Sequence, residues 1–113
     1  MIESVPRFVQ GIFEFTGAGY DRPTQLAGYT VSADKRAQPI YLRAGNSSDQ
    51  LVVLTLSKDG APMRLFPIGA RAAAHVPLAV VEDIHPDTRL DIAVAGPAGT
   101  GGTIVLDFGL VEI

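Results

Sequence analysis

The sequence predicts an all-β domain: a single-domain antiparallel β-sandwich or jelly-roll-like barrel of about seven or eight short strands. Three observations carry this. Twelve glycines and eight prolines punctuate the 113 residues and leave no interval suited to a long helix. Turn-forming residues recur at similar intervals along the chain. The clearest apolar segments alternate with period two, as strands with one buried face do.

The first strand is expected from Phe8 to Thr16, with Phe13 and Phe15 on one face and Ile12, Glu14 and Thr16 on the other. Gly11 interrupts it and reads as a bulge or a close backbone approach. Residues 1–7, ending in Val5-Pro6-Arg7, are expected to form an extended N-terminal arm. An irregular loop from Gly17 to Thr24 carries Tyr20 and Arg22, and a short strand follows at Ala27 to Val31. Ser32 to Gln38 reads as a solvated turn. The next pair, Ile40 to Ala44 and Leu51 to Ser57, flanks the turn-forming run Gly45 to Gln50. Leu51 to Leu56 is apolar at both parities, which predicts a central strand covered on two sides. Lys58-Asp59-Gly60 predicts a hairpin turn, because Asp-Gly readily supplies positive φ.

The most helix-like window is Gly69 to Ile84, but Pro77 lies mid-window and Val76, Val80, Val81 and Ile84 are β-branched. Ala72 to Leu78 therefore reads as an edge strand, with a single helical turn around Leu78 to Asp83 as the alternative. After the turn His85-Pro86-Asp87, Leu90, Ile92 and Val94 alternate with Asp91 and Ala93. Beyond the glycine-rich run Gly96 to Thr103, Ile104, Leu106, Phe108 and Leu110 alternate with Val105, Asp107, Gly109 and Val111. The run reads as a mobile hairpin loop joining two strands at the centre of the core.

Composition excludes several function classes. The net charge is −3 and the nine basic residues are scattered, which argues against a nucleic-acid partner. The chain has no cysteine, so neither disulfides nor thiolate metal sites arise. No apolar stretch approaches membrane-spanning length, and the N-terminus shows no signal-peptide pattern, so a cytoplasmic protein without a membrane partner is expected. No linker or repeat divides residues 1–113.

Chemistry-bearing motifs give way to structural readings. Gly96 to Thr103, GPAGTGGT, resembles a phosphate-binding loop, but Gly102 stands where the lysine belongs and a strand follows where a helix should. Glu82, Asp83, His85 and Asp87 gather at one turn, yet neither they nor His75 have metal-ligand spacing. No nucleophile elbow is present, and Glu14, Asp91, Asp107 and Glu112 read as solvent-facing strand positions. Asn46-Ser47-Ser48 fits a glycosylation acceptor only by coincidence. No cofactor and no catalysis are expected.

Residues 58–95, with the Asp59-Gly60 turn, Pro67 and Gly69, the Val76-Pro77-Leu78 segment and Thr88 before an apolar strand, resemble small β-rich tailed-phage virion proteins. The resemblance implies a non-enzymatic structural protein, such as a capsid decoration (cement) protein, located in the virion if phage-encoded. Its partners would be further copies of itself, a trimer among the options, and a larger capsid shell. The 47% hydrophobic content and the apolar outer positions Val105 and Val111 point the same way. The alternative is a carbohydrate- or small-ligand-binding module using the loops at 17–25 and 45–50, with Tyr20, Arg22, Tyr29 and Tyr41 as an aromatic platform. The residues singled out for an interface or binding loop are Tyr20, Arg22, Tyr41, Val105 and Val111.

Overall fold

The computed structural model of the chain describes residues 4–78 and 82–113. Eight strands follow in order: β1 (Val5–Thr16), β2 (Thr24–Thr30), β3 (Ala37–Asn46), β4 (Val52–Lys58), β5 (Ala61–Ile68), β6 (Ala73–Pro77), β7 (Arg89–Ala95) and β8 (Gly101–Glu112). They form two four-stranded antiparallel sheets, β1-β8-β3-β6 and β2-β7-β4-β5, stacked as a sandwich. Chain neighbours fall in opposite sheets except β4 and β5, which is the interleaving of a jelly roll. The one hairpin between consecutive strands is the Asp59-Gly60 turn, where successive φ values of 48° and 83° give the twist a two-residue turn requires.

The core follows the alternation. Ile104, Leu106, Phe108 and Leu110 of β8 lie beside Leu42 and Ala44 of β3, and across the sandwich Leu90, Ile92 and Val94 of β7 with Val52, Leu54 and Leu56 of β4 complete the core. All of these are buried. Each large aliphatic side chain so removed from water contributes about 1.5–3 kcal/mol.

Several expectations are corrected. The Gly96–Thr103 run is no hairpin: β7 and β8 lie in different sheets, and residues 96–100 carry the chain across the gap between them. Alternation identifies a strand and its buried face but says nothing about its hydrogen-bonded neighbour. For the same reason, β3 and β4 are not a pair. The β4 strand is central, but its second face is not covered, since Val53 and Thr55 are only half-buried there. Val5, Pro6 and Arg7 do not form an arm but begin β1, opposite Glu112, Val111 and Leu110. Residues 1–3 of that arm lie outside the described residues, as does the middle of the alternative helical turn. The edge-strand reading of residues 72–78 holds as β6.

Candidate functional site

The outer face of the β1-β8-β3-β6 sheet carries an ordered array of rows. One row runs across all four strands as Gln10, Asp107, Arg43 and His75, each opposite the next in register. On one side lies the row Ile12, Val105, Gly45 and Ala73, and on the other Phe8, Gly109, Tyr41 and Pro77. Because Gly45 and Ala73 are small, the surface sinks between β8 and β6 into an open groove of about 670 Å³. Val105 and Asp107 form one wall, Ala73 and His75 the other, and Arg43 and Gly45 the floor. Cavities of this size accommodate small ligands.

Asp107 is the hub. Its Oδ1 accepts hydrogen bonds from Gln10 Nε2 at 3.0 Å and from the Tyr41 hydroxyl at 2.9 Å. Arg43 Nη1 stands 3.9 Å from Oδ2, and 60% of the Arg43 side chain is exposed. So long and solvated an ion pair is worth well under about 1 kcal/mol, which leaves the guanidinium free for another partner. The Tyr41 ring lies across Gly109, where any added Cβ would meet it, so a larger residue there displaces the ring. Burial, then the hydrogen bond to Asp107, pushes the Tyr41 hydroxyl above its ordinary pKa and keeps it a donor. The His75 ring meets Tyr41 edge-on, with centroids 5.9 Å apart and planes at 87°. A largely exposed guanidinium, a carboxylate with one oxygen in reserve and an exposed imidazole thus line one shallow groove, with the Tyr41 ring beside it.

Of the five residues singled out by sequence, Tyr41, Val105 and Val111 fall on this face. Tyr20 and Arg22 do not. They sit in the loop after β1 at one end of the sandwich, where the Tyr20 hydroxyl donates to the Leu51 carbonyl at 2.8 Å. Tyr29 lies on β2 beside Glu112 at the opposite end. The expected tyrosine platform therefore does not exist. Gln10, Arg43, Asp107 and His75 escaped notice as a set because their strands are far apart in sequence. Their shared outward parity was the available signal.

The remaining polar clusters are structural. Asn46, buried where β3 ends, donates from Nδ2 to the carbonyls of Gln50 (2.9 Å), Gly69 (3.1 Å) and Ile68 (3.3 Å). Its Oδ1 accepts from the Ser48 amide and hydroxyl at 2.9 and 2.8 Å. An amide so committed is no glycosylation acceptor.

Glu112 corrects its expected solvent-facing position. It shares the parity of Ile104 through Leu110, points inward and is fully buried. Burial works against its charge. The Ser32 amide at 2.8 Å, Arg7 Nε at 2.9 Å, and the hydroxyls of Tyr29 and Ser32 outweigh that and lower its pKa to about 2. The acidic turn is likewise spoken for: Glu82 pairs with Lys58, while Asp83 accepts from Gln38 and Arg36. Among the described residues, no three of His, Asp and Glu gather where a metal ion would be held.

No protein-family model and no curated protein matches the chain. Among solved structures it is similar to the CBM36-1 domain of a multidomain xylanase from the hindgut metagenome of Trinervitermes trinervoides. The TM-score is 0.63 at 15% identity, over 95% of this chain and 96% of that one. A carbohydrate-binding module CBM36 in complex with calcium and xylotriose gives 0.60 at 15% identity, over 96% and 98%. A chain from infectious bursal disease virus Gt strain gives 0.50 at 16% identity, over 95% of this chain and 32% of that one. At these identities the likeness shows the fold alone.

Proposed function

We propose that this chain is a non-catalytic carbohydrate-binding module that holds an oligosaccharide across the outer face of its β1-β8-β3-β6 sheet. The observation that carries the reading is the groove in which Arg43, Asp107 and His75 stand beside the flat ring of Tyr41. Sugar hydroxyls donate and accept, so they match a guanidinium, a carboxylate and an imidazole fixed on rigid strands. The apolar face of a pyranose matches an aromatic ring lying flat on a sheet. The fold shared with two carbohydrate-binding modules over nearly their whole length supports the reading.

A glycan array followed by calorimetry on the best binder tests this. A binder at micromolar to millimolar Kd is expected, with affinity at least tenfold weaker in Arg43→Ala and unchanged in Tyr20→Ala. No binder on the array, or full affinity in Arg43→Ala, overturns it.

A second reading is a structural protein that packs on a larger assembly such as a phage capsid. Phe8, Ile12 and Val105, exposed by 57%, 75% and 52% on the same sheet, favour it. Cosedimentation with shells of the encoding phage would support that reading, and its absence would remove it.

A further inference from the structure

We infer that two copies of this chain associate through the free edge of β1, joining their sheets into one eight-stranded sheet. The inference rests on the edge and not on the groove or its ligand. A sandwich of this topology has four edge strands, and three of them are guarded. Pro62 and Pro67 interrupt β5, Pro77 ends the five-residue β6, and β2 carries a register shift between Gln25 and Ala27. By contrast, β1 is 12 residues long, pairs with β8 without any shift and has no proline after Pro6. Its charged residues are two, Arg7, which is paired with Glu112, and Glu14. Its outer positions Phe8 and Ile12 are the exposed apolar residues already noted, and its inward-facing Val9 and Phe13 stay only half-buried. The strand therefore offers a row of unpaired backbone groups flanked by exposed apolar side chains on its outer face and half-buried ones on its inner face.

The occupant is a second copy because the strand complements itself. Residues directly opposite each other in an antiparallel pair share a face. With Gln10 on a twofold axis, Phe8 of each copy meets the partner's Ile12, and Val9 meets the partner's Gly11. Glu14 meets the partner's Pro6, so no like charges face each other across the seam. The two sheets then present their grooves on one continuous surface. From β3 of one copy to β3 of the other is five strand spacings, about 24 Å. A polymeric ligand long enough to reach both grooves gains avidity.

Sedimentation equilibrium on the full chain across about 10–200 µM tests the inference, with charge-swapped variants as the discriminating arm. The wild type is expected at twice the chain mass. The double variant F8K/I12K, which sets lysine against lysine, is expected at the mass of one chain, with dimer affinity at least 100-fold weaker. The variant F8E/I12K sets glutamate against the partner's lysine and is expected to restore the dimer. Both side chains are exposed, so neither pair disturbs the core. A wild type with the mass of one chain or of three overturns the inference. So does a dimer that survives in F8K/I12K, or an F8E/I12K variant that remains a single chain.

Discussion

Replacing Glu112 by glutamine removes a buried charge that ties the two sheets at their far end. The carboxylate sits on β8 and takes hydrogen bonds from Arg7 on β1 and from Ser32 in the connection after β2. Its pKa drops from 4.5 to about 2 on folding. At about 1.4 kcal/mol per unit, that depression contributes about 3 kcal/mol to stability at neutral pH. The sign follows from proton binding. Between pH 4.5 and 2 the unfolded chain binds the proton that the folded chain refuses, so this contribution is full above pH 4.5 and fades as the pH falls towards 2. Urea unfolding of wild type and Glu112→Gln at several pH values isolates it, because the other carboxylates contribute equally to both proteins. The wild type is expected to be more stable by about 3 kcal/mol at pH 7, with the gap closing below pH 4.5. Parallel stability curves from pH 6 to pH 2.5, or a gap under about 1 kcal/mol at pH 7, would show that the buried carboxylate makes no such contribution.

Gly109→Val drives a side chain into the Tyr41 ring and separates its hydroxyl from Asp107, costing about 1–3 kcal/mol in urea unfolding and at least tenfold in glycan affinity. Asn46→Ala leaves the Ser48 amide without its acceptor and takes one donor from the carbonyls of Gln50, Ile68 and Gly69, and is expected to lower stability by about 2 kcal/mol, read as a fall in the urea midpoint. Gly102→Lys, which restores the residue a phosphate loop would need, is expected to give no thermal shift with Mg²⁺-ATP. It also lowers the melting temperature, because a Cβ at Gly102 would stand 2.8 Å from that of Ser48.

The fold was largely legible in the sequence, and the site was only partly so. Alternation along Leu90–Val94 and Ile104–Leu110 marked both central strands and their buried faces, because a period of two is a local property. The Asp59-Gly60 turn was equally local. What local pattern cannot carry is which strand lies beside which, and a jelly roll places nearly every chain neighbour in the opposite sheet. Gln10, Asp107, Arg43 and His75 therefore became a row only when β1, β8, β3 and β6 were seen side by side. Glu112 carries the signal of its inward position. Its parity matches Leu110 and Phe108, but a charged residue at a strand end reads by default as solvated. The tyrosine platform failed for the opposite reason, since residue type alone grouped side chains that the topology sends to three different places.

In the carbohydrate-binding module proposed above, the sheet face bearing Arg43 and Asp107, not the loop end bearing Tyr20 and Arg22, receives the saccharide. Amide chemical-shift mapping during titration with an oligosaccharide that the array identifies tests it most directly. Shifts concentrated at Gln10, Tyr41, Arg43, His75, Val105 and Asp107 are the predicted result. Shifts centred on residues 17–25 and 45–50, with the sheet face unmoved, would contradict it.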